Sequence, residues 1–473
     1  MTGRSPHLLL VLAAAAATAT TGPESSTGPG SLHHTEEHPH TRLTTPELMK
    51  VRGYTAETHH LITEDGYILE MHRIPYGRIA DAAALHATLN PFTSFRDPFL
   101  YPHAFPNISQ NTLHPLGDVV KRATLHSPGA ASRTSGSGGR NKRNKPRRVA
   151  FLLHGVFSSS ADFVMNDPDQ ALGFILADEG YDVWIGNTRG NFYGRRHVTL
   201  SPDQPEFWDY SWNEIARYDV PAMLSYVRKA TGAPQVYYVG HSLGAAIFFA
   251  TLDYHPHINS WVRVMAALAP AAYITGRPVP MSVVSPFANL IDDQLSRTRH
   301  LELLPLTPKR VDTSSSVCAD GAVANFLCVF IYFTVAGGSN GFYLDREYMP
   351  VIFSHWPAGT GLHIVTQLLQ VHHSGRFHAF DYGPERNLLE YGSPSPPDYS
   401  LSSVNVPVGI FWSENDFVVD PQGVRLTAAK LPNLVLDHRV SVRNFNHNDF
   451  LLAENAADVV YRHVVQLLQD YSD

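Results

Sequence analysis

Gly240-His241-Ser242-Leu243-Gly244 fits G-x-S-x-G and lies between two apolar runs of different character. Residues 235–239 have the composition of a buried strand, and the Ala-rich run 245–250 that of a helix. A serine at that junction predicts a sharp strand–turn–helix connection, because flanking glycines let two backbones approach with no Cβ between them. Such a turn holds the Ser242 hydroxyl out beyond the sheet, as a nucleophile requires. The pentapeptide alone also fits an ordinary turn with an N-cap serine, so its meaning depends on what else the chain supplies.

From residue 149 onward, strand and helix alternate. Strands are expected at 149–153, 182–185, 235–239, 262–269, 408–411 and 435–440, with helices at 169–179, 213–230 and 458–469. That rhythm predicts an α/β fold, a mostly parallel sheet with helices on both faces. Residues 273–375 interrupt it with apolar and aromatic sequence and are expected to form a helical cap inserted between sheet strands. The sheet-forming core is then split into 149–272 and 376–473. Upstream, Glu64-Asp65-Gly66 between two alternating apolar runs predicts a β-hairpin within 45–77.

Two further segments have distinct compositions. Residues 1–22 combine Arg4, an apolar run from Leu8 to Ala17 and small residues before Gly22-Pro23, which is the pattern of a secretory signal. No other stretch is apolar for long enough to cross a bilayer, so a secreted, soluble protein is expected, with the lysosome as the alternative. Residues 23–44 look like a flexible leader. Residues 78–148 hold 11 basic and 3 acidic residues, lack periodicity and end in the run Arg140 to Arg148, as expected of a disordered surface insertion. Arg140-Asn-Lys-Arg143 within it resembles a proprotein-processing site, and Asn107-Ile-Ser109 is a glycosylation sequon. The whole chain carries a mild net charge of −7, which argues against a nucleic-acid partner. Its 26 histidines would make it positive near pH 5. The only cysteines, Cys318 and Cys328, fit one disulfide in an oxidising compartment, with two buried thiols as the alternative.

A serine hydroxyl needs a base to take its proton and an acid to orient that base. In α/β-hydrolase folds the order along the chain is Ser…Asp…His. Asp416 follows the expected strand 408–411, at the carboxyl edge where such sheets place ligands. His447 lies between the last strand and the last helix, a position that favours it over His438 and His463. Asp420 is the rival for the acid, and Asp449 is expected to be a local cap or turn residue. For the oxyanion, the residue after the nucleophile offers the Leu243 N–H. The loop after strand 149–153, His154-Gly155-Val156, offers the Val156 N–H. Gly155 would allow close approach of substrate, and His154 is expected to bond the loop rather than react.

Beyond these residues, the chain resembles the animal acid lipases, a family that includes gastric and lysosomal acid lipase. The resemblance covers roughly 45–77 and 149–470 and rests on several motifs in order. They include Thr63-Glu-Asp-Gly-Tyr-Ile-Leu-Glu70, His72-Arg-Ile-Pro-Tyr-Gly77, Leu153-His-Gly155, Gly180-Tyr-Asp-Val-Trp-Ile-Gly-Asn-Thr-Arg-Gly190, Phe207-Trp-Asp-Tyr-Ser-Trp212, Tyr218-Asp-Val-Pro-Ala222, His355-Trp-Pro-Ala-Gly359 and Asn446-His-Asn-Asp-Phe450. It implies an α/β-hydrolase core with a lipid-binding cap, and a triad of Ser242, Asp416 and His447. It also implies hydrolysis of lipid carboxylic esters, such as triacylglycerols or sterol esters, without metal or cofactor, and the apolar cap suggests action at a lipid–water interface. Cys318 and Cys328 match a cap disulfide of that family with slightly longer spacing. Three departures stand out: Leu243 where the family often has Gln, Ser413-Glu414 where it tends to have Gly-Gly, and the length of the 78–148 insertion. The competing readings are a non-catalytic lipid carrier on the same scaffold and a hydrolase of small soluble esters.

Overall fold

The computed structural model describes residues 38–78, 147–276, 281–317 and 347–472. The expected signal at 1–22, nearly all of the basic insertion, Asn107, Cys318 and Cys328 lie outside the described residues.

Nine strands form one sheet in the order β1-β2-β4-β3-β6-β7-β10-β11, with β5 pairing beside β2. The ranges are β1 Glu57–Ile62, β2 Tyr67–Ile74, β3 Val149–Leu153, β4 Asp182–Gly186, β5 Arg196–His197, β6 Val236–His241, β7 Val262–Leu268, β10 Val408–Trp412 and β11 Leu434–Arg439. A separate ribbon pairs β8 (Glu302–Leu303) with β9 (Thr360–Gly361). The six strands from β4 to β11 pair in parallel, whereas the hairpin β1–β2 adds antiparallel to β4. Every residue of β3, β4, β6 and β10 is buried. That is why these strands are mainly apolar in the sequence rather than alternating, Asp182 of β4 and His241 of β6 excepted.

The helices between strands include α1 (Thr45–Val51), α2 (Leu172–Asp178), α3 (Val220–Thr231), α4 (Leu243–Tyr254), α5 (Leu362–Ser374), α6 (Pro421–Lys430) and α7 (Arg462–Asp470). Two of the expected helices are not regular throughout. The segment expected at 213–230 starts as an α-helical turn, Trp212–Glu214, and widens into a π turn, Ile215–Asp219, before continuing as α3. Pro221 in the first turn of α3 lacks the N–H that an unbroken helix would use, and the widened turn absorbs the mismatch. The closing helix starts as a π turn, Ala457–Tyr461, before α7. The expected helix 169–179 shortens to α2, because residues 168–170 form turns.

The end of the expected leader is packed rather than loose. Thr41 is 2% exposed, the His40 ring lies 3.1 Å from the Tyr348 hydroxyl, and Thr44 forms a capping box with Glu47 at the start of α1. The described parts of the segment 273–375 hold the β8–β9 ribbon and helices at Met281–Val284, Ala288–Arg297, Pro308–Val317, Met349–His355 and α5. These parts do not behave alike. Met349, Val351 and Ile352 join the buried cluster that also holds Leu172 and Val183, whereas Val283, Phe287 and Leu290 are about half exposed or more.

Candidate active site

The nucleophile turn is built by close packing. A Cβ on Gly244 would collide with the carbonyls of Leu153 and His154, and one on Gly240 would stand 2.8 Å from the backbone of Ala245. Neither glycine has a positive φ; the left-handed residue is Ser242 itself, at φ 54° and ψ −119°. A non-glycine residue held there is strained. The strain is sustained by the Ser242 N–H bonding Leu268 of β7 at 2.8 Å, and by its carbonyl accepting from Ala245 and Ala271.

Three separate strand ends converge on this serine. Ser242 Oγ is 2.7 Å from His447 Nε2, and His447 Nδ1 is 2.8 Å from Asp416 Oδ2. The other carboxylate oxygen of Asp416 accepts the N–H groups of Val418 and Val419, each at 2.8 Å. All three side chains are buried, Ser242 at 2% exposure and the other two at 5%. The Ser-Glu-Asn-Asp turn, unusual beside the resemblance, still brings Asp416 to the imidazole. Ser413 Oγ donates to the Phe445 carbonyl and ties the acid loop to the histidine loop.

The rival residues have other partners. Asp420 caps α6 through Gln422 and Gly423 and holds Thr275 N–H at 2.9 Å. Burial alone would raise its carboxyl, but N–H donors at Gly276, Gly423 and Thr275 hold it below its usual value. Asp449 accepts the Asn446 N–H at 2.7 Å as a turn residue. His438 contacts the Val459 carbonyl and packs its ring on His463.

Sequence reasoning passed over Asn446. Its side-chain oxygen accepts the N–H of Phe417 at 3.2 Å and that of His447 at 2.9 Å, bridging the acid and base loops. His241 was also missed as a support. Its Nε2 donates to the His447 carbonyl at 3.0 Å, and burial keeps the ring neutral by lowering its pKa well below the usual value. The only signal for either was adjacency to a candidate residue.

Beside Ser242, Leu243 opens α4, so its N–H is one of those that a helix leaves without an internal acceptor. Val156 N–H makes no hydrogen bond among the described residues. A narrow cavity next to both is lined by Val156, Leu243, Ile247, Ile215, Thr360 and Ile364, so that residues of the 273–375 segment help close it.

Comparison with known proteins gives the family of the chain. Residues 45–111 match the partial alpha/beta-hydrolase lipase region, and residues 151–294 match the alpha/beta hydrolase fold. The chain is 33% identical over 430 residues to Lipase 1 of Drosophila melanogaster, covering 90% of this chain and 80% of that one. It is 31% identical over 438 residues to gastric triacylglycerol lipase of Bos taurus, covering 92% and 93% respectively. Lipase member K of Mus musculus is 28% identical over 439 residues, with 92% of each chain covered. Fold and relatives together define an α/β-hydrolase of the lipase class, a carboxylic-ester hydrolase. The chain belongs to the animal acid lipase family, in which the gastric lipases also fall.

Proposed function

We propose that this protein hydrolyses the ester bonds of neutral lipids, triacylglycerols or sterol esters, through an acyl-enzyme on Ser242. The observation that carries the reading is the relay of 2.7 and 2.8 Å from a left-handed serine through His447 to Asp416. His447 Nε2 takes the Ser242 proton as Oγ bonds to the ester carbonyl carbon. Asp416, already held by two backbone N–H groups, keeps the Nδ1 proton in place and stabilises the imidazolium. The N–H groups of Val156 and Leu243 receive the negative oxygen, an effect worth roughly 3–4 kcal/mol of barrier per donor. Collapse breaks the bond to the alkoxide, which leaves as alcohol with the proton from His447. Water then attacks the acyl carbon by the same route and frees the fatty acid. The names of relatives such as gastric triacylglycerol lipase favour a lipid ester over a small soluble one.

The buried serine and the closing residues Thr360 and Ile364 support activity at a lipid–water interface, which would favour an open form with the acyl pocket exposed. We assign residues 273–375 as the cap on this basis. Among the described residues no helix is long and apolar enough to cross a membrane. The signal-like residues 1–22 support secretion, or delivery to the lysosome. The test is labelling of purified protein by a fluorophosphonate, followed by assays on emulsified triacylglycerol, sterol ester and a monomeric short-chain ester. Labelling of wild type but not of Ser242→Ala, with turnover rising once the ester aggregates, is expected. Folded wild type that resists labelling would move the assignment to a lipid carrier.

A further inference from the structure

The loop that follows β3 contains a histidine that the mechanism above leaves without a task. His154 is 4% exposed. Its Nδ1 lies 2.8 Å from the carbonyl oxygen of Gly155. A carbonyl can only accept, so Nδ1 carries the proton. Its Nε2 lies 3.3 Å from the Thr188 N–H and 3.1 Å from the Asn191 side-chain nitrogen, both donors. All three contacts require the same neutral tautomer. The Asn191 amide is itself oriented, since its oxygen accepts from Tyr193 N–H at 3.0 Å and its nitrogen donates to Asn187 at 3.0 Å. The ring is thus anchored to the loop that leaves β4.

Gly155 O and Val156 N–H belong to one planar trans peptide and point in opposite directions. Fixing the carbonyl therefore fixes the N–H. The residue needs fixing, because glycine moves readily between backbone conformations. Only glycine fits, since a Cβ there would stand 2.9 Å from the Ser242 Cβ. With this peptide reversed, a carbonyl oxygen would face the developing oxyanion in place of a donor.

We propose that His154 is a positioning residue, whose Nδ1–H holds the Gly155 carbonyl and so aims the Val156 N–H at the oxyanion. The proposal rests on the Ser242 mechanism above. Burial keeps the ring in the required neutral form by lowering its pKa to about 4.

Two substitutions separate clamping from general support of the loop. His154→Gln places an acceptor near the Nε2 position, facing Thr188 and Asn191, but removes the donor to Gly155. His154→Asn places an amide N–H at the Nδ1 position and removes the Nε2 acceptor. The assay uses the full chain with a monomeric ester, together with inhibition by a trifluoromethyl ketone that forms a tetrahedral adduct with the serine. For His154→Gln, kcat should fall about 100-fold with KM changed less than about threefold, and the ketone should bind correspondingly more weakly. His154→Asn should recover at least about tenfold of the lost kcat, even if it melts lower than the Gln variant. Unchanged kcat in His154→Gln, or equal kcat losses in both variants with unchanged ketone affinity, would overturn the clamp. If the Gln variant does not fold, a folded Asn variant that has lost more than about 100-fold in kcat does the same. A folded wild type inert to ester and ketone alike would overturn the Ser242 mechanism itself, and the clamp with it.

Discussion

Two Ser–His–carboxylate triplets of nearly equal dimensions sit on opposite sides of strand β3. In one, Ser242, His447 and Asp416 are linked at 2.7 and 2.8 Å. In the other, Ser160, His72 and Glu70 are linked at 2.7 and 2.7 Å. The second is also buried, with Ser160 and His72 at 0% exposure and Glu70 at 3%. What differs is everything around the serine. Ser160 lies in a 3-10 turn without left-handed strain, and its oxygen is surrounded by the Asn187 side-chain nitrogen at 3.1 Å and Thr45 Oγ1 at 3.3 Å. Glu70 is shared with a second histidine, His60, at 3.0 Å. Ser242 instead stands on a strained turn, with His447 as the one side chain bonded to its oxygen among the described residues. The three residue types and their distances are the same in both triplets, so on the mechanism proposed for Ser242 they cannot by themselves mark a reactive serine; the turn that presents the serine is what sets the two apart.

The comparison breaks first on activity. Ser242→Ala should lower ester turnover by about 10⁶-fold, while Ser160→Ala should change kcat less than about threefold, both read on purified protein against one soluble ester. A loss of comparable size at Ser160 would mean that chemistry has been assigned to the wrong triplet. Next in size is the acid. Asp416→Asn should cost about 10⁴-fold in kcat, because the neutral amide no longer holds the histidine tautomer or stabilises its charged form. Glu70→Gln should leave kcat near wild type and lower the melting temperature instead. Equal kcat for Asp416→Asn and wild type would remove Asp416 from the mechanism.

The sequence made one triplet legible and hid the other for a physical reason. Ser242, Asp416 and His447 each follow a strand of the sheet, and parallel strands deliver their carboxyl ends to one edge. Knowing the strands therefore located the residues. Glu70 and His72 share one face of β2, as residues two apart on a strand do, but nothing in their spacing points to Ser160, 88 residues from His72. The bridging role of Asn446 was equally hidden, because an Asn oxygen accepting two backbone N–H groups depends on loop shape. The helices were found but not their irregularities: Pro221 goes with a π turn inside a helix, and the two-residue strands of the β8–β9 ribbon are too short to show any periodicity.

A third expected effect sharpens the contrast in solvation. Asp162 is on the same 3-10 turn as Ser160 and is fully enclosed, and burial pushes its carboxyl up to about 7. Its folded pKa is thus above the unfolded value of about 3.8. The native state therefore holds the extra proton between these values, and the associated stability is complete below about pH 3.8 and lost as pH rises through 7. Asp162→Asn removes that loss. The variant should match wild type near pH 4 and be more stable at pH 8, by up to about 4 kcal/mol. Thermal melting at the two pH values checks it, and a variant that gains nothing at pH 8 would show that water reaches this turn.

The smallest effect is the stability cost at Ser160, and it bears most directly on why the second triplet exists. Its hydroxyl links α1, through Thr45, to β2, through His72, and to the end of β4, through Asn187. Thr45 is in turn 2.9 Å from the Tyr193 hydroxyl, and Glu70 reaches back to His60 on β1. Removing the hydroxyl leaves the buried His72 nitrogen and the Asn187 amide short of a partner, a cost of about 1–3 kcal/mol. Ser160→Ala should therefore melt lower while its fluorophosphonate labelling at Ser242 proceeds at the wild-type rate. Ser160→Cys, which keeps a weak donor and acceptor in nearly the same volume, should fall between the two. If instead Ser160→Ala melted like wild type and labelled more slowly, the network would be supporting the active-site loop through Asn187 and Asn191 rather than joining the hairpin to the core.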